Sequence, residues 1–395
     1  MKKPARAIAW FAAALVGLSA LPAAHAADPA YMIVGNDEKV TWDENGRIRF
    51  LPPGQDSVQI FDIGRNPAMP QLVATLKLDN SIFGPPTNLA VAPDQRFAYI
   101  TNPMAWNKDG EAWKPAPDNK LNVIDLGANP PKVVDTVTVG RQPSGMAISR
   151  DGRMGLVANR ADNSVTVLNI EGGRVSVSDT VAIGEHVVAV SFAADGKRAF
   201  VVKMNANALG VIHFDNGKAS YDKKNDIGVG VTPYNVAVTP DGRLALSLDM
   251  GNPNASDGHV DTISVVDLEA SPPRTIDKVV VDDGPEGLAV SPTGRHAAVA
   301  LIRGSNNDRK SWFYHPKGSV ALLKIDGRKV SKVAEVEVGA LPEGVVFSPD
   351  GQYLYVGNFL DGDISVLRVD GDRLKDTGQR IKLPGHPAAM RAVAY

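Results

Sequence analysis

The sequence predicts an all-β chain folded as a seven-bladed β-propeller, with four-stranded blades and a ring closed by strands from both ends of the chain. Three observations predict it: a recurring phrase, one more third strand than hairpins, and two ends that complete each other.

The phrase is clearest at Gly339–Gly351 (GALPEGVVFSPDG), continued by Tyr353–Val369 (YLYVGNFLDGDISVLRV). Its parts are a Gly/Pro-rich lead-in, a strand ending in a turn, a second strand ending near Asn, a loop and a third strand. The turn recurs with Asp94, Asp151, Asp195, Asp241, Thr293 and Asp350, spaced 44 to 57 residues apart. Asp-Gly between alternating apolar runs is a hairpin signal, because Gly takes the positive φ that a tight turn needs.

Six hairpins follow from these turns. The third strand recurs seven times, at Ser57–Ile63, Leu121–Leu126, Ser164–Ile170, Gly210–Phe214, Thr262–Leu268, Ser319–Ile325 and Ile364–Val369. The missing first strand is Gly385–Tyr395 (GHPAAMRAVAY), which matches every other lead-in and stops before a turn. Tyr31–Asn36 (YMIVGN) matches the second strand that it lacks. The seventh blade is therefore shared by the two ends, which removes open sheet edges.

Met1–Ala26 reads as a secretory signal: Lys2, Lys3 and Arg6 precede the apolar Ala7–Leu18, and Ala24-His25-Ala26 is a small-residue cleavage site. Residues 27–395 are then one propeller domain, and the expected location is the periplasm. Removing the signal's three positive charges takes the formal net charge from −2 to −5, which argues against a nucleic-acid binder. No segment is long and apolar enough to span a bilayer as a helix. Cysteine is absent, which excludes disulfides, thiol chemistry and covalently attached c-type haem. The expected state is a monomer that meets a small molecule or a periplasmic protein.

Loops between second and third strands share one face with the lead-ins. They are long at Asn36–Asp56, Pro103–Asn119, Met250–Asp261 and Arg303–Lys317, and these hold Trp42, Trp106, Trp113, Trp312, Phe313, Tyr314, His315 and His259. Aromatic side chains on loops suit a binding surface; packing back onto the ring is the alternative. The long loops come from two pairs of neighbouring blades, so two aromatic walls flanking a cleft are expected.

The phrases YLYVGN (Tyr353–Asn358), FAYITN (Phe97–Asn102) and GLVAN (Gly155–Asn159), with the S-P-D-G turns, resemble the YVTN-type propellers of the lactonase-like seven-bladed superfamily. The resemblance spans the whole mature chain. It implies the fold, and it leaves open sugar-lactone hydrolysis, cycloisomerisation and a role as a subunit of a periplasmic amine dehydrogenase. The WD-repeat signature is missing.

Lead-ins and second-strand ends place polar residues at the channel mouth, and three readings follow. Glu286, Glu343 and Asp249 offer oxygen ligands for a hard divalent cation such as Ca²⁺. His186 or His386 offers a general base, with Arg141, Arg303 or Lys203 stabilising an oxyanion, as lactone or ester hydrolysis requires. Tyr234, Lys203 and the aromatic loops offer binding alone. The leading expectation is an exported binding or scaffold propeller. The alternatives are a lactonase-like hydrolase and an accessory subunit of a periplasmic oxidoreductase.

Overall fold

In the computed structural model, residues 28–253 and 256–394, with Met1, are described; the signal-like segment lies outside the described residues apart from Met1. Seven antiparallel sheets form the ring. Numbered by their innermost strands, blade 1 starts at Leu89–Val91, blade 2 at Pro143–Ile148 and blade 3 at Val187–Phe192. Blade 4 starts at Pro233–Val238, blade 5 at Pro285–Val290 and blade 6 at Pro342–Phe347. Blade 7 is the shared one. Its inner strand Pro387–Arg391 pairs with Tyr31–Asn36, which pairs in turn with Ser57–Asp62. A bridge between Val393 and Val91 carries the chain end on to blade 1.

The turns form as the sequence predicts. Ser149, Ala193, Thr239, Ser291 and Ser348 each accept a bond from the Gly N–H three residues on, and all five glycines have positive φ. Blade 1 closes the same turn with Gln95, at φ 56°. That left-handed conformation suits Gly far better than a residue with a Cβ.

Apolar side chains alternate along the strands and interdigitate between neighbouring sheets. Leu246, Val265 and Leu288, for example, share the large cluster joining blades 3, 4 and 5. Burying each such side chain stabilises the ring by about 1.5–3 kcal/mol.

The insertion Pro103–Asn119 is no loose loop. It lengthens two strands of blade 1 into Phe97–Asp109 and Ala112–Asp125, which stay paired to the tip. The Asn36–Asp56 insertion forms its own hairpin, Val40–Trp42 against Ile48–Phe50. Among the described residues, no helix is long and apolar enough to cross a membrane.

Candidate active site at the channel mouth

The Asn that ends the second strand turns into its own blade. Asn159 Nδ2 donates to Ser164 Oγ (3.1 Å) and Thr166 Oγ1 (2.9 Å), and Asn358 Nδ2 donates to Asp363 Oδ1 and Ser365 Oγ. Blades 3 and 4 carry Lys203 and Asp249 at this place. Lys203 is fully buried, bonded to the Tyr221 hydroxyl at 2.9 Å and paired with Asp226. Asp249 accepts from Ser264 Oγ (2.6 Å), Ser247 Oγ (2.9 Å) and Thr262 Oγ1 (3.2 Å), and burial pushes its carboxyl up to about 6. Both expectations are corrected: Lys203 and Asp249 spend their polar atoms on tying strands together inside their blades.

The mouth itself is built by bulges. In blades 2 to 7 the ladder between the first two strands skips a register step near the top of the inner strand. A bulge re-aims a side chain. The skipped positions include Ser144, Val188, Tyr234, Glu286, Glu343 and Ala388, and Thr87 is their counterpart in blade 1. This upper ring is polar mainly across blades 4, 5 and 6, where Tyr234, Glu286 and Glu343 are all buried. Gly287 lets blades 5 and 6 approach here, since a Cβ on it would lie 2.0 Å from the Glu343 carbonyl oxygen.

Burial pushes both carboxyls well above the ordinary range. Arg160 partly offsets this for Glu286, and the charge of Glu286 raises Glu343 further. Glu286 is pushed up to about 8 and Glu343 is also strongly raised, so at neutral pH the pair keeps at least one proton and releases the first as pH approaches 8. Burial also raises the Tyr234 phenol, with the two glutamates adding to it and Arg160 opposing. Arg160, from the end of blade 2's second strand, thus reaches this cluster. One oxygen of Glu286, Oε2, makes no hydrogen bond among the described residues.

His186 holds Arg160 in place. The Arg160 Nε–H donates to His186 Nε2 at 2.6 Å. Burial first, and the guanidinium second, lower the His186 pKa, so the ring is neutral and Nδ1 carries its proton. Its basic nitrogen is therefore occupied, and the expectation of His186 as a free general base is corrected to that of a residue positioning Arg160.

His386 pairs instead with Glu38, Nδ1 lying 3.0 Å from Oε1, and that bond raises its pKa. Arg141 bonds Asp162 at 2.7 Å on the exposed rim. Arg303 Nε lies 3.0 Å from Asp282 Oδ2. Neither arginine joins the carboxyl pair.

A metal centre does not fit. Among the described residues no group of three His, Cys, Asp or Glu converges as ligands, and Asp249 is sealed in its blade. The proposed set of Glu286, Glu343 and Asp249 does not form, and the cation beside the two glutamates is Arg160.

The two aromatic walls join into one arch. Trp106 is buried against Phe50 and Phe83, with Lys39 Nζ 5.0 Å from its ring. Trp42 meets Phe359 edge-on, and Trp113 packs on the Trp106 cluster. The blade 7 hairpin crosses blade 6 to reach the blade 5 loop, through a bridge between Asn45 and Asp308 and an Arg309–Glu44 ion pair of 3.1 Å. In that loop His315 bonds the Arg303 and Phe313 carbonyls, and Tyr314 is half-buried. Trp312 alone of the four tryptophans is largely exposed, at 76%, beside His259. Blades 2 and 3 have short loops, so the side of Arg160 and His186 stays uncovered.

The site thus gathers at the channel mouth a buried carboxyl pair holding a proton, a buried phenol and a positioned guanidinium. Such a set can move protons to and from a polarised ester. A family profile described as "Lactonase, 7-bladed beta-propeller" matches residues 41–232. That profile covers just under half of the chain, and the ring has the seven blades its description names. Among solved structures, this propeller is similar to a Bacteroides fragilis protein described as a candidate 6-phosphogluconolactonase, at TM-score 0.70 and 18% identity over 92% of this chain and 98% of that one. It is also similar to the Pseudomonas aeruginosa periplasmic gluconolactonase, at TM-score 0.67 and 18% identity over 93% and 99%. Kuenenia stuttgartiensis hydrazine synthase shares the fold at TM-score 0.60 and 18% identity, over 81% and 95%. At these identities the likeness is one of fold. The curated antigen Lp49 of Leptospira interrogans is 34% identical over 111 residues, which is 28% of this chain and 23% of that protein's length.

Proposed function

We propose that this chain is an exported, periplasmic lactone hydrolase acting at the channel mouth. The observation that carries the reading is the buried Glu286–Glu343 pair beside Tyr234 and Arg160. The fold shared with gluconolactonases supports it.

In this mechanism the ionised carboxylate of the pair takes a proton from water as the water oxygen bonds to the lactone carbonyl carbon. Arg160 stabilises the oxyanion that develops there. The carbon–oxygen bond of the ring then breaks, and the carboxylic acid of the pair delivers its proton to the departing alkoxide. The product is a hydroxycarboxylic acid, which releases its proton to solvent to become the hydroxycarboxylate, and the pair again holds one proton. His186 contributes by fixing the Arg160 side chain.

The test is a pH-stat assay of the mature protein on glucono-1,5-lactone and on simple γ- and δ-lactones, corrected for spontaneous opening. Hydrolysis that disappears in both Glu286→Gln and Glu343→Gln supports the reading. A folded wild type that opens none of them sinks it.

The binding reading retains one specific support, the exposed Trp312 beside His259. Loss of ligand affinity in Trp312→Ala, with turnover absent in the wild type, would restore it.

A further inference from the structure

The channel has a second constriction below the mouth, and its chemistry is the reverse. Counting down each inner strand from the bulge brings one residue per blade to the axis: Ala90, Ala147, Ser191, Ala237, Ala289 and Val346, with Arg391 in blade 7. All seven line a single cavity of about 120 Å³. Its remaining wall is apolar, with Val91, Ile148, Val238, Val290, Phe347 and Val393. Six small or apolar positions leave room for one long cation.

Arg391 makes no ion pair and no hydrogen bond through its side chain among the described residues. Its side chain is half-buried, and that burial lowers its pKa to about 10, with no charged neighbour among the described residues offsetting the effect. It therefore remains a cation at neutral pH. A guanidinium that makes no bond among the described residues keeps its donors free, and an anion of matching shape can take them up in place of water. A carboxylate matches the planar fork of donors with two parallel bonds.

We propose that the lower channel is a binding site for a small monocarboxylate with an apolar body, held at its carboxylate by Arg391 and around its body by the valine and alanine ring. The cavity sets the size. An apolar cavity of about 150 Å³ accepts benzene, so a slightly smaller one suits a body of a few carbons. The lining prolines Pro93, Pro240 and Pro292 belong to the turns of the first hairpins, so the site belongs to the face opposite the aromatic arch. It is separate from the Glu286–Glu343 cluster and stands whether or not that cluster hydrolyses lactones.

Isothermal titration of the mature protein with isobutyrate, isobutyramide and chloride tests it. The expected result is saturable one-to-one binding of isobutyrate and none of the amide. Arg391→Met should weaken it by about 10- to 100-fold, as loss of a charge-assisted pair does. Ala237→Leu fills the cavity and leaves Arg391 in place, so it should weaken binding too, even if Arg391→Met fails to fold. Isobutyrate that does not bind, or that binds Ala237→Leu as tightly as wild type, overturns the proposal. Chloride that binds as tightly as isobutyrate overturns the apolar half of it.

Discussion

The two rings of the channel are built from the same strands and have opposite characters. The upper one gathers Tyr234, Glu286 and Glu343 on three neighbouring blades, with Arg160 brought to them from the end of another blade's second strand. The lower one is a sleeve of Ala, Ser and Val broken by Arg391. The backbone explains why one fold supports both. Bulges aim the upper side chains, which are free to differ from blade to blade. The lower positions sit on regular ladder near the axis, where seven strands converge and only small residues fit. Acid–base chemistry therefore has room at the top. At the bottom a single long side chain dominates.

The largest expected effects separate the rings. Glu286→Gln or Glu343→Gln should lower lactone hydrolysis by about 10²–10⁴-fold, as loss of a general acid or base does. Arg391→Met should leave hydrolysis within about twofold in the same assay. Arg160→Met should cost about 10²–10³ in kcat, in line with loss of an oxyanion donor. His186→Ala should cost less, and because it acts through Arg160 its effect should vanish in the Arg160→Met background. A double-mutant cycle on kcat reads this directly. If His186→Ala instead abolishes turnover and shifts the acid limb of the pH profile, His186 is the base after all.

The covered and open sides of the mouth should differ in stability rather than turnover. Trp106→Ala empties a packed cluster and should destabilise the fold by about 3–5 kcal/mol, seen as an earlier denaturant midpoint. Trp312→Ala removes an exposed ring and should stay within about 0.5 kcal/mol.

The pH dependence sharpens the comparison further. Carboxyls at Glu286, Glu343, Asp249 and Asp261 titrate higher in the folded protein than in the unfolded chain, chiefly through burial. Between those two pKa values the folded state binds more protons. The contribution of these four groups to stability is therefore fullest below about pH 4 and is lost as pH rises through their folded values. Asp249 and Asp261 place part of that decline near pH 6 to 7. Glu343→Gln should flatten the slope of stability against pH. Arg391→Met should leave it unchanged between pH 4 and 8, because Arg391 titrates above that range.

The fold was legible because its signals are local and repeated. Asp-Gly turns, alternating strands and the complementary ends need no long-range information. The site was legible only in part. Glu286, Glu343 and Tyr234 were visible as mouth residues from their lead-in position, but their role as a proton-holding pair depends on burial, which spacing does not show. Lys203 and Asp249 occupy the place of the repeat's Asn. That equivalence was in the sequence, but the Asn's own role in tying strands was not, so both were read as groups facing the channel mouth. Arg160 follows the same Asn, and its reach to blades 4 and 5 is a property of the closed ring. Arg391 stands where other blades have Ala, Ser or Val, a contrast that aligning the seven repeats position by position would have exposed. The arch was hidden because the blade 7 hairpin meets the blade 5 loop across some 260 residues of chain.

The most direct test of the central claim is a ¹³C NMR titration of the glutamate side-chain carboxyls in the mature protein, with Glu286→Gln and Glu343→Gln for assignment. The account predicts two coupled resonances that titrate well above the ordinary glutamate value of about 4.3, each variant removing one and shifting the other. If every glutamate titrates within the ordinary range, the pair holds no proton at neutral pH and the acid–base account of the mouth fails.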